Sequence, residues 1–275
     1  MKTILVPTDL SLSTQYALDV AVSLARTYQA ELILLHTVLY ELIPQAAAEY
    51  SPELSVAMAE NYQDARKEAE AALRKLIANP RYAGVTIKPK LGSNFDGLIR
   101  CINEQPADLI VLASKGASGL MEWLEGSHAE LIVRHANCPV LVVKQPISHF
   151  QPNHIVCAID IDEKLKESHS EPFLLTDQGL RHFVYVLTPS DSRQPEGIRQ
   201  WVADYALAKG ISPYTLDIWH DKTVPAGIIK YAEDVNADMI VLYTHGYKGL
   251  RHWIEGSVAE DVLNHANQPV LILRA

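Results

Sequence analysis

Apolar residues along the chain fall into short unbroken runs separated by longer amphipathic stretches. Ile4-Leu5-Val6 is the first run, and Ser11 or Ser13 then caps a predicted helix through about Tyr28, with Ala17, Val20, Ala21 and Leu24 on one face. Leu32 to Val38 is a second buried strand, and Ser51 to Ile77 a long amphipathic helix rich in Ala, Glu and Lys. Thr86 to Lys90, Leu109 to Ala113 and Val140 to Val143 continue the strands, with helices predicted over Phe95 to Glu104 and Ser127 to His135. Strands that are apolar throughout and alternate with helices indicate a parallel sheet covered on both faces. Right-handed crossovers make such a sheet open and doubly wound.

The pattern occurs twice. Gly116 to Val143 aligns with Gly246 to Leu273 at a shift of 130, with 15 of 28 positions identical, where unrelated sequences would share about two. The shift persists upstream, pairing Gly97 with Gly227 and Ala107-Asp108 with Ala237-Asp238. Near each start it becomes 151, pairing Ile4 to Asp9 with Ile155 to Asp160, so the second copy is 21 residues shorter in between. Pro146 to Asn153 reads as the linker, giving two α/β domains, 1–146 and 152–275. Phe183 to Leu187, Tyr214 to Trp219 and Met239 to Tyr243 read as strands of the second copy. Its first helix is eroded: Ile161 to Arg181 contains Pro172 and Gly179 and lacks an apolar face.

Composition narrows the classes. Of 275 residues, 48% are hydrophobic and 21% charged, enough to fill a core in both halves. A net charge of −9 without a Lys/Arg run argues against nucleic-acid binding. No uncharged window approaches membrane-spanning length, and the N-terminus lacks a signal-peptide pattern. Cys101, Cys138 and Cys157 form no CxxC pair and suit a reducing cytoplasm.

The segment from Ala113 through Gly116 to Gly126-Ser127 follows a buried strand and opens a helix. Ligands of open α/β sheets sit beyond the carboxyl ends of the strands, at the switch point. A helix start there offers unpaired N–H groups to an anion, and glycine lets the backbone come close. Asp9, at the end of the first strand, faces the same crevice with acceptors suited to a ribose. A structural reading of the same residues has equal standing: the glycines as turn formers, and Asp9 and Asp160 as caps.

These residues resemble the universal stress protein motif, Gly-x2-Gly-x9-Gly-Ser/Thr followed by a helix and a final Pro-Val-Leu-Val strand; Val6-Pro7-Thr8-Asp9 is similar to the family's first strand. The resemblance implies two tandem doubly wound domains of the adenine nucleotide alpha hydrolase-like fold. It also implies an adenine nucleotide, ATP or AMP, with Asp9 on the ribose, the Val38 backbone on adenine, and Gly116, Gly126 and Ser127 on the phosphates. Asp160, Gly246, Gly256 and Ser257 are the corresponding positions of the second copy. The last strands, Val140 to Val143 and Val270 to Leu273, are expected to pair the halves, and a homodimer is compatible with the family.

Two departures stand out. The motif's first glycine is Ala113 in one copy and Tyr243 in the other, a tyrosine that would block the cleft or stack on a base. After Gly126-Ser127 and Gly256-Ser257 the second hydroxyl is missing, since Ala129 and Ala259 stand there. His245 and His252 lack metal-site spacing, and Trp123 and Trp253 read as packing anchors. Neither a Gly-x-Ser-x-Gly elbow nor a Walker lysine is present. A non-catalytic binding protein is expected, with slow nucleotide hydrolysis at most by family analogy; the alternative is a nucleotide-independent interaction module.

Overall fold

Thr3–Thr8 forms the first strand, β1, of a computed structural model that describes residues 1–38, 52–93, 97–113, 128–167, 179–244 and 258–274. The first half continues with α1 (Leu12–Tyr28), β2 (Glu31–Val38), α2 (Pro52–Ile77), β3 (Ile87–Ser93), α3 (Leu98–Asn103), β4 (Leu109–Ala113), α4 (His128–His135) and β5 (Val140–Val143). The second half contains β6 (His154–Ala158), α5 (Glu163–Glu167), β7 (Leu180–Leu187), α6 (Pro195–Ala208), β8 (Tyr214–His220), α7 (Val224–Asp234), β9 (Met239–Thr244), α8 (Val258–His265) and β10 (Val270–Arg274). Residues 94–96 and 127, at the expected starts of two helices, lie outside the described residues.

The ten strands of the described residues join one sheet, in the order β3-β2-β1-β4-β5-β10-β9-β6-β7-β8. Each half is a parallel five-stranded block, and the blocks meet where β5 and β10 run antiparallel, with Leu141 opposite Leu271. Every β5 side chain is buried, as a strand covered on both faces requires. The central strands alternate between two cores: Ile4, Val6, Leu32 and Leu34 pack under α1 and α2, while Leu5, Ile33 and Leu35 face the side of α3 and α4. In the second half α6 covers the first of these faces and α7 and α8 the other. The order in which strands are added reverses about β1 in the first half and about β6 in the second, so each block has its own switch point, between β1 and β4 and between β6 and β9.

Local sequence explains the element ends. Ser11 accepts a hydrogen bond from the Thr14 N–H and caps α1, and Gln29 in the left-handed region (φ 53°) closes it. Thr223 caps α7 in the same way, and Gly227 lets this helix settle on β7, since a Cβ there would lie 2.5 Å from Val186 Cγ1.

The 21-residue deficit of the second half lies in the second crossover. Residues 39–86 separate β2 from β3, whereas residues 188–213 separate β7 from β8. α2 has 26 residues and α6 has 14. The first connection, where the sequence looked eroded, keeps nearly its full span; its described part holds the five-residue α5, and residues 168–178 lie outside the described residues.

The linker is pinned at both sides of the seam. Lys144 Nζ donates to the Ala266 carbonyl (2.5 Å) and Gln145 Nε2 to the Asn267 carbonyl (3.3 Å). Ser23 on α1 bonds both the N–H and the carbonyl of Phe150, whose ring is buried in the shared core. Burial lowers the Lys144 ammonium to about 8.

Candidate functional site

The rim of the first block is built around Pro7. The β1–β4 ladder carries the pairs Ile4–Leu109 and Leu5–Ile110 and stops there, while β1 itself runs on to Thr8 along β2. At the equivalent place in the second half, β6 and β9 stay paired through Cys157–Val241 and Ala158–Leu242. Pro7, at the position of Ala158, has no N–H to give to a ladder. The hydrogen-bonded ladder between the two central strands therefore ends sooner in the first block than in the second.

Asp9 follows β1 at this rim, exposed, with its carboxylate accepting from the Ser11 N–H at 3.0 Å. The turn beside it is tightly specified. Leu10 is held at φ 65° with its N–H on Thr8 Oγ1 (3.0 Å), and Thr8 Oγ1 is bonded to Thr14 Oγ1 (3.0 Å). A leucine in the left-handed region is uncommon and costs on the order of 1 kcal/mol, which the surrounding bonds offset. Asp9 thus serves the turn, as the structural reading expected, with its side chain exposed at the end of β1.

Sequence reasoning missed His36. It lies on β2 opposite Thr8, and its Nδ1 is 2.8 Å from the Thr8 carbonyl. A carbonyl only accepts, so Nδ1 carries the proton and the neutral ring has Nε2 as its acceptor. The apolar run Leu32 to Val38 contains one ionisable side chain at the rim, and that was the available signal. Val38 ends β2 with a buried side chain, and Ala113 ends β4, half-buried and paired with Val143. The switch point thus brings Asp9, Val38 and Ala113 to one rim. Gly116, Gly126 and Ser127, and in the second half Gly246, Gly256 and Ser257, lie outside the described residues, as do Trp123, Trp253, His245 and His252.

The second block is furnished differently. Tyr243, at the place of Ala113, neither blocks a cleft nor presents a face to a base: it turns into the core at 5% exposure. Its hydroxyl meets that of Tyr205 at 3.1 Å, and the two rings pack edge to face. Tyr205 also stacks on Trp201 and meets the edge of Phe183. Burial pushes the Tyr205 hydroxyl up to about 12 and that of Tyr243 well above its ordinary value. Trp201 Nε1 donates to Glu163 of α5 at 2.7 Å.

Asp160, half-buried, accepts from the Ile161 N–H at 2.8 Å. Tyr185 occupies the place of His36, donating to Asp191 (2.5 Å) and accepting from Arg193 Nη1 (2.8 Å). Burial first, then the Asp191 contact, raises the Tyr185 hydroxyl, and the charge of Asp160 adds to this. Where the first rim has one exposed carboxylate, the second has a carboxylate within electrostatic reach of its own arginine.

Among the described residues no cluster of three or more His, Cys, Asp or Glu side chains could hold a metal, and no helix is long and apolar enough to cross a membrane.

Two parallel blocks, each with its switch point at the carboxyl ends of its strands, define a doubly wound, Rossmann-like α/β protein. The model of the universal stress protein family matches residues 1–144 and again 182–274. The chain belongs to that family. A universal stress protein of Methanocaldococcus jannaschii is 32% identical over 147 residues, 53% of this chain and 83% of its own length. One from Mycobacterium bovis is 25% identical over 229 residues, 76% of this chain and 72% of its own. In fold, the chain matches a universal stress protein from Archaeoglobus fulgidus with a TM-score of 0.70 at 20% identity, covering 99% of this chain and 96% of the other.

Proposed function

We propose that this chain is a non-catalytic, cytoplasmic stress-response protein that binds an adenine nucleotide, ATP or AMP, in its first half and signals through conformation or association. The observation that supports it is the exposed Asp9 carboxylate at the carboxyl end of β1, beside the β1–β4 switch point. A crevice of this kind at a switch point is where open α/β sheets bind ligands. The motif residues Gly116, Gly126 and Ser127 supply the phosphate-binding loop in this reading, and Asp9 binds the ribose hydroxyls. Cys101, Cys138 and Cys157 form no disulfide, consistent with a reducing compartment.

Calorimetric titration with ATP and AMP tests this. Binding that weakens at least tenfold in Asp9→Ala is the expected result; well-folded protein that takes up neither nucleotide at millimolar concentration ends the proposal.

One observation favours a second reading, a nucleotide-independent interaction module. The second block has zipped β6 to β9 and turned Tyr243 into its core, which suits a scaffold rather than a binding site. A partner recovered equally well with and without nucleotide, and retained by Asp9→Ala, supports that reading.

A further inference from the structure

The second half carries a row of polar side chains across the outer strands of its sheet. His154 opens β6, and His182 lies two residues beyond the start of β7. Strand register sets Thr215 of β8 opposite His182, and Asp217 opposite Val184. Alternation puts all four on the face that α7 covers, shared with Val156, Val184 and Tyr231. His182 is buried at 8% exposure, while His154 is exposed. By the same register the first half has Thr3, Ile33 and Lys88 at the places of His154, His182 and Thr215.

These groups form a hydrogen-bonded chain that runs in one direction. It ends on the Asp217 carboxylate, which accepts from the Tyr231 hydroxyl of α7 at 2.5 Å. The Tyr231 oxygen accepts in turn from the Thr215 hydroxyl. With that proton committed, Thr215 Oγ1 accepts from His182 Nδ1 at 2.9 Å. A neutral His182 then has the Nε2 lone pair left, so His154 Nδ1 is the donor across their 3.1 Å contact. The two ring centres are 5.4 Å apart, with planes 17° from parallel. That separation is near the greatest a 3.1 Å N···N contact allows, so the rings meet end to end with the two nitrogens aimed at each other.

A contact of this form holds one proton. A first added proton goes to the remaining nitrogen of the exposed His154 and leaves the contact whole. A second has to go to His182 Nε2, where it sets two N–H groups and two positive charges against each other. Burial and the neighbouring His154 lower the His182 imidazole, and Asp217 works against them. The other charges nearby are fixed in place. Asp238 accepts from the His154 N–H at 2.9 Å, Asp234 acts on Tyr231, and Arg181 lies on the opposite face of the sheet, near Cys157.

We propose that the His154–His182 contact is an acid-released latch, which ties the start of β6, where the linker enters the sheet, to the edge strand β8 and to α7, and which opens when both rings carry a proton. A charged His182 is drawn from its buried place toward water and takes the donor of Thr215 with it. The edge of the second block then loosens while the first half, which has no such chain, stays closed. The latch is independent of any nucleotide.

The test follows the histidine ring resonances of the full chain by NMR from about pH 8 to about pH 4.5, in wild type and in His154→Ala. Backbone amide exchange, corrected for its intrinsic pH dependence, is measured over the same range. His182 is expected to titrate below its ordinary 6.5 in wild type and at higher pH in His154→Ala, where the facing charge is gone. Because the open form takes the proton more readily, protection of the β8 amides is expected to fall on acidification, by up to about tenfold for each unit by which His182 is lowered. The β2 and β3 amides are expected to keep theirs. His182 titrating at the same pH in both proteins overturns the latch, since the contact would then hold no proton. An equal loss of protection in β2 and β3 also overturns it, because the opening would be global. So does a β8 protection that is unchanged while His182 titrates.

Discussion

Replacing Tyr243 discriminates between a core residue and a ligand platform at the position where the family motif has its first glycine. The ring is 5% exposed and its hydroxyl shares a 3.1 Å hydrogen bond with Tyr205, itself 1% exposed. Tyr243→Phe keeps the ring and leaves the Tyr205 hydroxyl without this partner in a buried setting, a loss of about 1–3 kcal/mol. Tyr205→Phe does the same from the other side. The double variant removes both hydroxyls at once, so its cost is expected to fall below the sum of the singles by about 1 kcal/mol. Tyr243→Ala also empties the space beneath β9 and is expected to cost about 3–5 kcal/mol, as for other large aromatic truncations. Urea unfolding followed by Trp fluorescence measures all four, and AMP titration is expected to give the same affinity in each variant that remains folded. The reasoning fails if Tyr243→Phe leaves stability within about 0.3 kcal/mol of wild type and changes nucleotide affinity, for then the hydroxyl faces a ligand.

The seam and the linker give further expectations. Leu141 and Leu271 oppose each other across the β5–β10 pair and are at most 1% exposed; either Leu→Ala variant is expected to lose about 2–5 kcal/mol in urea unfolding. Lys144 is lowered to about 8 by burial, against 10.5 for a free side chain. The unfolded chain then binds more protons above pH 8, so stability rises from about pH 8 toward pH 10 as the buried ammonium is discharged. Lys144→Met is expected to flatten that rise in pH-dependent unfolding curves, and an unchanged slope would show the ammonium to be fully solvated. Gly227→Ala would place a methyl 2.5 Å from Val186 Cγ1, and a loss of about 1–3 kcal/mol is expected by thermal or urea unfolding. Ser11→Ala removes the α1 cap and is expected to cost about 1 kcal/mol.

The strands and the helices of the first half were legible because apolar runs and helical stripes are dense there, whereas α6 and α7 of the second half were not read from the sequence. Ile4-Leu5-Val6 and Leu109 to Ala113 read as buried strands and became neighbours in a parallel sheet. Boundaries moved where a strand leaves the core: β3 runs on to Ser93 through half-buried positions and β7 starts at Leu180, three residues before its densest apolar run. The site was legible only in part. Asp9 was found from its place after the first strand, but His36 is one polar residue in an apolar run, and only the strand register puts it opposite Thr8. Tyr243 was misread because a motif position predicts where the backbone lies and not where a side chain turns. The first helix of the second copy read as eroded because of Pro172 and Gly179, and its described part is the five-residue α5, while the missing length lies in the next crossover.

The seam also constrains how this protein can associate. In an isolated five-stranded block of this order, β5 would be a bare edge with N–H and carbonyl groups open to another strand. Here β5 and β10 satisfy each other within one chain, and Lys144 and Gln145 tie the linker to the adjoining turn. The edges that remain are β3 and β8. β3 carries Lys88, Pro89 and Lys90, a combination that repels strand addition. β8 carries Asp217, already accepting a 2.5 Å hydrogen bond from Tyr231, and strand addition about it in a second copy would bring two such carboxylates together. Among the described residues both remaining strand edges thus disfavour strand addition, so self-association is expected to use helical surfaces.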